Sequence, residues 1–266
     1  MPYAEVNGTR LHIRQNGEGP VALFIHGFPL DSSMWIEQLE DLGSLRRCIA
    51  IDLRGFGRSA PVTGAPLTVE QHADDLAAVL DLVSAEQADI IGLSMGGYVA
   101  MAFADMYPHR MRSLALIDTR SGADSEEAKA GRDAMAERLL DDGRVAFAEA
   151  MESALLGPQA TIAVRARLRS MVEACPYETI VGALGGMRDR PDRTAVLRSV
   201  SVPVAVIVGE QDAVTPPTEA EAMAVALPDA ALTIVPGAGH VAPIEQPEAV
   251  NEALRVLLAR SSGSVD

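Results

Sequence analysis

Short apolar runs alternate with amphipathic stretches along most of this 266-residue chain. Residues 10–15 alternate apolar and polar side chains, which predicts a half-buried strand. Residues 21–25, 48–51 and 88–91 are continuously apolar, the pattern of strands covered on both faces. Residues 68–83 read as a helix: Thr68 and Gln71 have capping-box spacing, and Leu76, Val79, Leu80 and Val83 form one stripe. A second helix, 95–106, follows the strand at 88–91 after a very tight connection, and 114–117 is the next strand. Further on, strands at 202–208 and 232–235 alternate with helices at 217–227 and 247–258. Each of those helices opens on a proline, where a missing N–H is harmless.

Strands alternating with helices predict an α/β fold: a mostly parallel sheet, of the eight-stranded type, with helices on both faces. Residues 121–195 break the rhythm. They hold several amphipathic stretches and no clear strand, and the segment is too long for one crossover. The expected organisation is a core formed by 1–120 and 196–266, with 121–195 as a helical cap over one end of the sheet.

Composition narrows the chemistry. Hydrophobic residues make up 48%, which excludes a disordered chain. There are 22 basic and 37 acidic residues, a net charge of −15, which argues against nucleic acid and anionic lipid as partners. Lys129 is the one lysine, so the Gly-Lys pair of a P-loop is absent. Cys48 and Cys175 are too few and too far apart for a disulfide framework or a zinc knuckle, and suit a reducing compartment. The first 15 residues have no hydrophobic block, and the longest uncharged run, 90–104, is too short and glycine-rich to span a bilayer. A cytoplasmic protein without a membrane partner is expected.

The sharpest chemical feature is Gly92-Leu93-Ser94-Met95-Gly96, set between an apolar strand and an apolar helix. That strand–turn–helix setting holds a serine hydroxyl at a sheet edge and at a helix N-terminus, where free N–H groups favour negative charge. A serine needs a base. Of the five histidines, His12 falls in an alternating strand and is expected at the surface; His72 lies in the first turn of a helix; His109 lies in a loop after one. His26 and His240 follow strands, where ligand sites of parallel sheets form. Two aspartates, Asp212 and Asp118, also follow strands directly. Asp212 is preferred because it gives the chain order Ser, Asp, His.

These pieces together resemble the α/β-hydrolase superfamily over nearly the whole chain: His26-Gly27-Phe28-Pro29, residues 52–59, Gly92 to Gly97, residues 209–212 and Gly239-His240. The resemblance implies a nucleophile at Ser94, an acid at Asp212, a base at His240, and an oxyanion hole from the backbone N–H groups of Phe28 and Met95. It implies scaffold roles for His26 and the 52–59 turn. The region beside the elbow, with Trp35 and Phe28, is similar in style to 3-oxoadipate enol-lactone hydrolases, which makes Trp35 a candidate substrate contact.

The expected activity is hydrolysis of a small carboxylic ester or lactone, with no cofactor and no metal. Other readings use the same three residues: a cofactor-free perhydrolase (haloperoxidase-like), a carbon–carbon bond hydrolase, or a receptor with little turnover. A dinucleotide site at Gly55-Phe56-Gly57-Arg58-Ser59-Ala60 is rejected, because Pro61, Gly64 and Pro66 follow where a helix should open. An aspartate-nucleophile enzyme is rejected because the elbow carries serine. Arg165, Arg167 and Arg169 could hold an anionic lactone, although their spacing spreads them around a helix.

Overall fold

The computed structural model describes residues 2–62 and 66–262; Gly64, one of the helix-breaking residues, lies outside them. Eight strands are present among the described residues: β1 (Tyr3–Val6), β2 (Thr9–Asn16), β3 (Val21–Ile25), β4 (Arg47–Ile51), β5 (Ala88–Leu93), β6 (Met111–Ile117), β7 (Val204–Gly209) and β8 (Ala230–Val235). They form one sheet in the order β1-β2-β4-β3-β5-β6-β7-β8. β1 and β2 run antiparallel to their neighbours, and from β4 to β8 every pairing is parallel. Every residue of β3, β5 and β7 is buried, as expected of strands covered on both faces. β8 is one of the two edge strands and leaves Leu232 and Ile234 partly exposed.

Ten α-helices accompany the sheet among the described residues. Helix α1 (Ile36–Leu42) packs on the last helix, α10 (Pro247–Ser262), and α2 (Val69–Leu82) packs on α3 (Met95–Met106). The Thr68 hydroxyl caps α2 by accepting the Gln71 N–H at 3.1 Å, the contact its spacing predicts. Strand β1 and helix α1 were not legible in the sequence.

Between β6 and β7 lie α4 (Glu126–Leu155), α5 (Ile162–Ala174), α6 (Tyr177–Arg188) and α7 (Thr194–Leu197). Helix α4 is broken at Gly143, whose φ of 80° and ψ of 175° suit glycine alone. Both α5 and α6 pack on α4. This layer meets loops at the carboxyl ends of the strands: Thr179 donates to the Gly55 carbonyl at 2.8 Å, and the Leu67 N–H donates to the Gly182 carbonyl at 3.0 Å. The boundary expected between residues 195 and 196 falls inside α7, which packs on α3 and on α8 (Pro217–Ala226) rather than on α4. The remaining helix, α9 (Ala242–Glu245), is a single turn before α10. No helix of the described residues is long and apolar enough to cross a membrane.

Candidate active site

Four of the parallel strands deliver polar residues to one edge of the sheet: Ser94 after β5, Asp118 after β6, Asp212 after β7 and His240 after β8. Ser94 sits at φ 53° and ψ −114°, a conformation L-residues rarely adopt, and it caps α3. The two flanking glycines make that bend possible. A Cβ at Gly92 would strike the Gly96 carbonyl, and one at Gly96 would strike the Ile25 carbonyl at the end of β3. The Ser94 carbonyl accepts from the Thr119 hydroxyl at 2.9 Å, which steadies the turn from the neighbouring strand.

His240 bridges two groups. Its Nε2 lies 2.8 Å from the Ser94 Oγ and its Nδ1 lies 2.8 Å from the Asp212 Oδ2. A carboxylate only accepts, so Nδ1 carries the ring proton and Nε2 is free to accept from the hydroxyl. Asp212 also accepts from the N–H groups of Val214 and Thr215 at 2.8 and 3.0 Å, and from the Thr215 hydroxyl at 2.8 Å. Burial pushes its carboxyl up, but the His240 ring and the Thr215 donors outweigh burial and hold it below the ordinary carboxylate range. Thr215 escaped the sequence reading, although a Thr three residues after an Asp and ahead of a proline-started helix is a recognisable turn signal.

Asp118 stands close by with another task. It is wholly buried at φ 45° and accepts from the N–H of Gly209 at 2.7 Å and of Ala242 at 3.1 Å. Burial is the main reason its carboxyl is pushed up to about 7; the His240 ring and the two N–H donors pull it down, and the Asp212 charge adds to the rise.

The two expected oxyanion donors are free. Among the described residues, neither the Phe28 nor the Met95 N–H donates to a backbone or side-chain acceptor. Met95 opens α3, where the first N–H groups have no partner within the helix. Phe28 is brought to the elbow because Gly27 lacks a side chain: a Cβ there would lie 2.6 Å from the Leu93 side chain and 3.3 Å from the Ser94 Cβ.

The other histidines lie away from this relay. His26 is buried, facing the Gly27 carbonyl through Nδ1 at 2.9 Å and accepting the Leu53 N–H through Nε2 at 3.0 Å. Asp52 accepts from the Ser32 and Arg58 N–H groups at 2.7 and 2.9 Å and meets the His12 Nδ1 at 2.9 Å. His12 is therefore buried, contrary to its expected surface place: its strand is covered by the 52–59 turn. His72 is buried against Phe56, and burial drives its pKa down to about 3, with positive charge from His26 and Arg54 adding to the fall.

Two further expectations change. Trp35 is fully buried, with its ring centroid 5.4 Å from that of Phe24, so it belongs to the core rather than to a substrate surface. The arginines of α5 are already engaged: Arg165 and Arg169 with Glu152, and Arg167 with Glu37 and the Ser33 carbonyl. They tie α5 to α4 and to the start of α1 and leave no cationic fork for a lactone.

Comparison with known proteins identifies the family. A family model described as alpha/beta hydrolase fold matches residues 20–247. A thermophilic esterase from Thermogutta terrifontis, solved with malate bound, is 41% identical, with a TM-score of 0.92 over 98% of this chain and 97% of that one. An enol-lactonase from Burkholderia xenovorans is 28% identical, with a TM-score of 0.88 over 97% of this chain and 100% of that one. A Bacillus subtilis protein, named as a candidate 2-succinyl-6-hydroxy-2,4-cyclohexadiene-1-carboxylate synthase, is 32% identical over 86% of this chain and 88% of its own length.

Proposed function

The chain belongs to the alpha/beta hydrolase family, and from that premise we propose that it cleaves a small carboxylic ester or lactone through an acyl intermediate on Ser94. The observation that carries this reading is one imidazole held 2.8 Å from both a serine hydroxyl and a buried carboxylate. His240 takes the Ser94 proton as Oγ adds to the acyl carbon. The Phe28 and Met95 N–H groups stabilise the resulting oxyanion, an effect of about 3 kcal/mol per donor. Collapse breaks the bond to the alcohol oxygen, which leaves with the proton held on His240. Water then adds to the acyl-enzyme while His240 removes its proton. Loss of the acid returns Ser94 to its hydroxyl form.

An ester or lactone is favoured over other acyl compounds by the esterase at 41% identity and the enol-lactonase at 28%. Helices α4 to α6 act in this proposal as the cap, choosing the substrate through the loops they place on the strand ends. The synthase named among the relatives supports a second reading, a reaction other than ester hydrolysis carried by the same three groups.

A panel of aryl esters and lactones of graded acyl length tests the proposal. Multiple turnovers are expected from the native protein and none above background from Ser94→Ala with unchanged circular dichroism. Full activity in Ser94→Ala contradicts the acyl-enzyme, and turnover that stops near one equivalent marks a binding protein instead.

A further inference from the structure

The turn that carries His240 is fastened to the end of α4, and one carboxylate makes most of the joint. The His240 N–H donates to the Leu155 carbonyl at 2.8 Å. Glu245, in the last position of α9, accepts the Gly239 N–H on Oε1 at 2.9 Å and the Gly157 N–H on Oε2 at 2.8 Å. One oxygen thus holds the residue before His240, and the other holds the second residue past α4. Gly157 lies 88 residues from Glu245, so that side of the joint is made by the fold and not by local turn geometry.

The joint is also closely fitted. A Cβ at Gly239 would strike the Gly157 nitrogen, and a Cβ at Gly157 would come within 3.0 Å of the Gly239 nitrogen and 3.1 Å of the Glu245 Oε2. Arg165 of α5 braces the same loop, reaching the Gly157 carbonyl at 3.3 Å and the Ala160 carbonyl at 3.2 Å. Burial pushes the Glu245 carboxyl up, while the Gly157, Gly239 and Val241 N–H groups and the Arg165 charge pull it back. Two acceptor oxygens are needed here. A glutamine offers one, and its amide N–H₂ would face an N–H donor.

We propose that Glu245 is a positioning residue, which locks the His240 turn to the end of α4 so that the helical layer sets the distance between the His240 ring and Ser94. This rests on the reading of His240 as the general base. Misplacing a reacting group by about 1 Å can lower a rate on the order of 10²-fold, so a slack joint should appear in the chemical step.

The test measures kcat per competent site on one aryl ester, with sites counted by phosphonate titration, for the native protein and for Glu245→Gln, Gly157→Ala and the double variant. Expected are losses on the order of 10- to 100-fold in kcat per site for each single variant, with KM within about threefold. The double variant should lose little more than the worse single one, because both damage one joint. A merely structural Glu245 would lower the number of titratable sites and the melting temperature but leave kcat per site unchanged, and that result overturns the proposal. Gly157→Ala keeps the carboxylate and carries the test if Glu245→Gln folds poorly. His240→Gln is the control: a fully active His240→Gln overturns the reading of the base, whereas an inactive one beside an unimpaired Glu245→Gln overturns the positioning role alone.

Discussion

The Asp212 Oδ2 lies 2.8 Å from the His240 Nδ1, while Asp118, one strand away, spends its carboxylate on the backbone N–H groups of Gly209 and Ala242. The two residues therefore separate orienting the imidazole from holding the loop that carries it. Asp212→Asn should lower kcat on the order of 10³- to 10⁴-fold by disturbing the proton on Nδ1. Asp118→Asn removes one backbone acceptor and should lower kcat by about tenfold or less, the size of one ordinary hydrogen bond. Steady-state kinetics on a single ester, with the two variants compared at equal site counts, checks the order.

His72 should make the fold acid-sensitive. Its pKa is depressed from 6.5 to about 3 in the folded chain, so the folded state refuses a proton that the unfolded state binds. Its contribution to stability is complete above about pH 6.5 and is lost as the pH falls toward 3. Neither ring nitrogen has a hydrogen-bond partner among the described residues, so an apolar replacement of similar size sacrifices no bond. Urea midpoints of the native protein and His72→Leu at pH 7 and pH 4.5 should show a smaller acid loss in the variant.

Gly27→Ala should weaken catalysis without removing any titratable group. The added Cβ meets the Leu93 side chain and the Ser94 Cβ, so the Phe28 N–H must move away from the elbow. A fall of about 10- to 100-fold in kcat is expected, up to the loss of one oxyanion donor, with KM little changed. Pre-steady-state acylation by a chromogenic ester measures the step directly.

Gly143→Ala tests the break in α4. Nothing lies within 4 Å of the new Cβ, so the penalty is backbone strain at φ 80° and not a clash. A destabilisation of about 1–3 kcal/mol is expected from such a conformation, read as a lower melting temperature by calorimetry.

The alternation of strands and helices was legible because each element buries its own face and repeats it locally. Ser94 and the loop of His240 were legible for a related reason: the glycines at 92, 96 and 239 mark places where backbones touch. Choosing between Asp212 and Asp118 was harder, since both follow strands and only the fold shows which one meets the ring. His12 looked exposed because its neighbours alternate, yet the 52–59 turn lies across it. Trp35 was a candidate contact only through the likeness of its region to enol-lactone hydrolases, and such a likeness does not separate a core aromatic from one that lines a pocket. Glu245 gave no signal at all, because its partners are backbone N–H groups and one of them, on Gly157, lies 88 residues away in the chain.

Phosphonate labelling followed by peptide mapping tests the central claim most directly. One adduct per chain is predicted, on Ser94, formed quickly by the native protein, slowly by His240→Gln and not at all by Ser94→Ala. Inhibition without an adduct on Ser94, or labelling of another residue that abolishes ester hydrolysis, would contradict it.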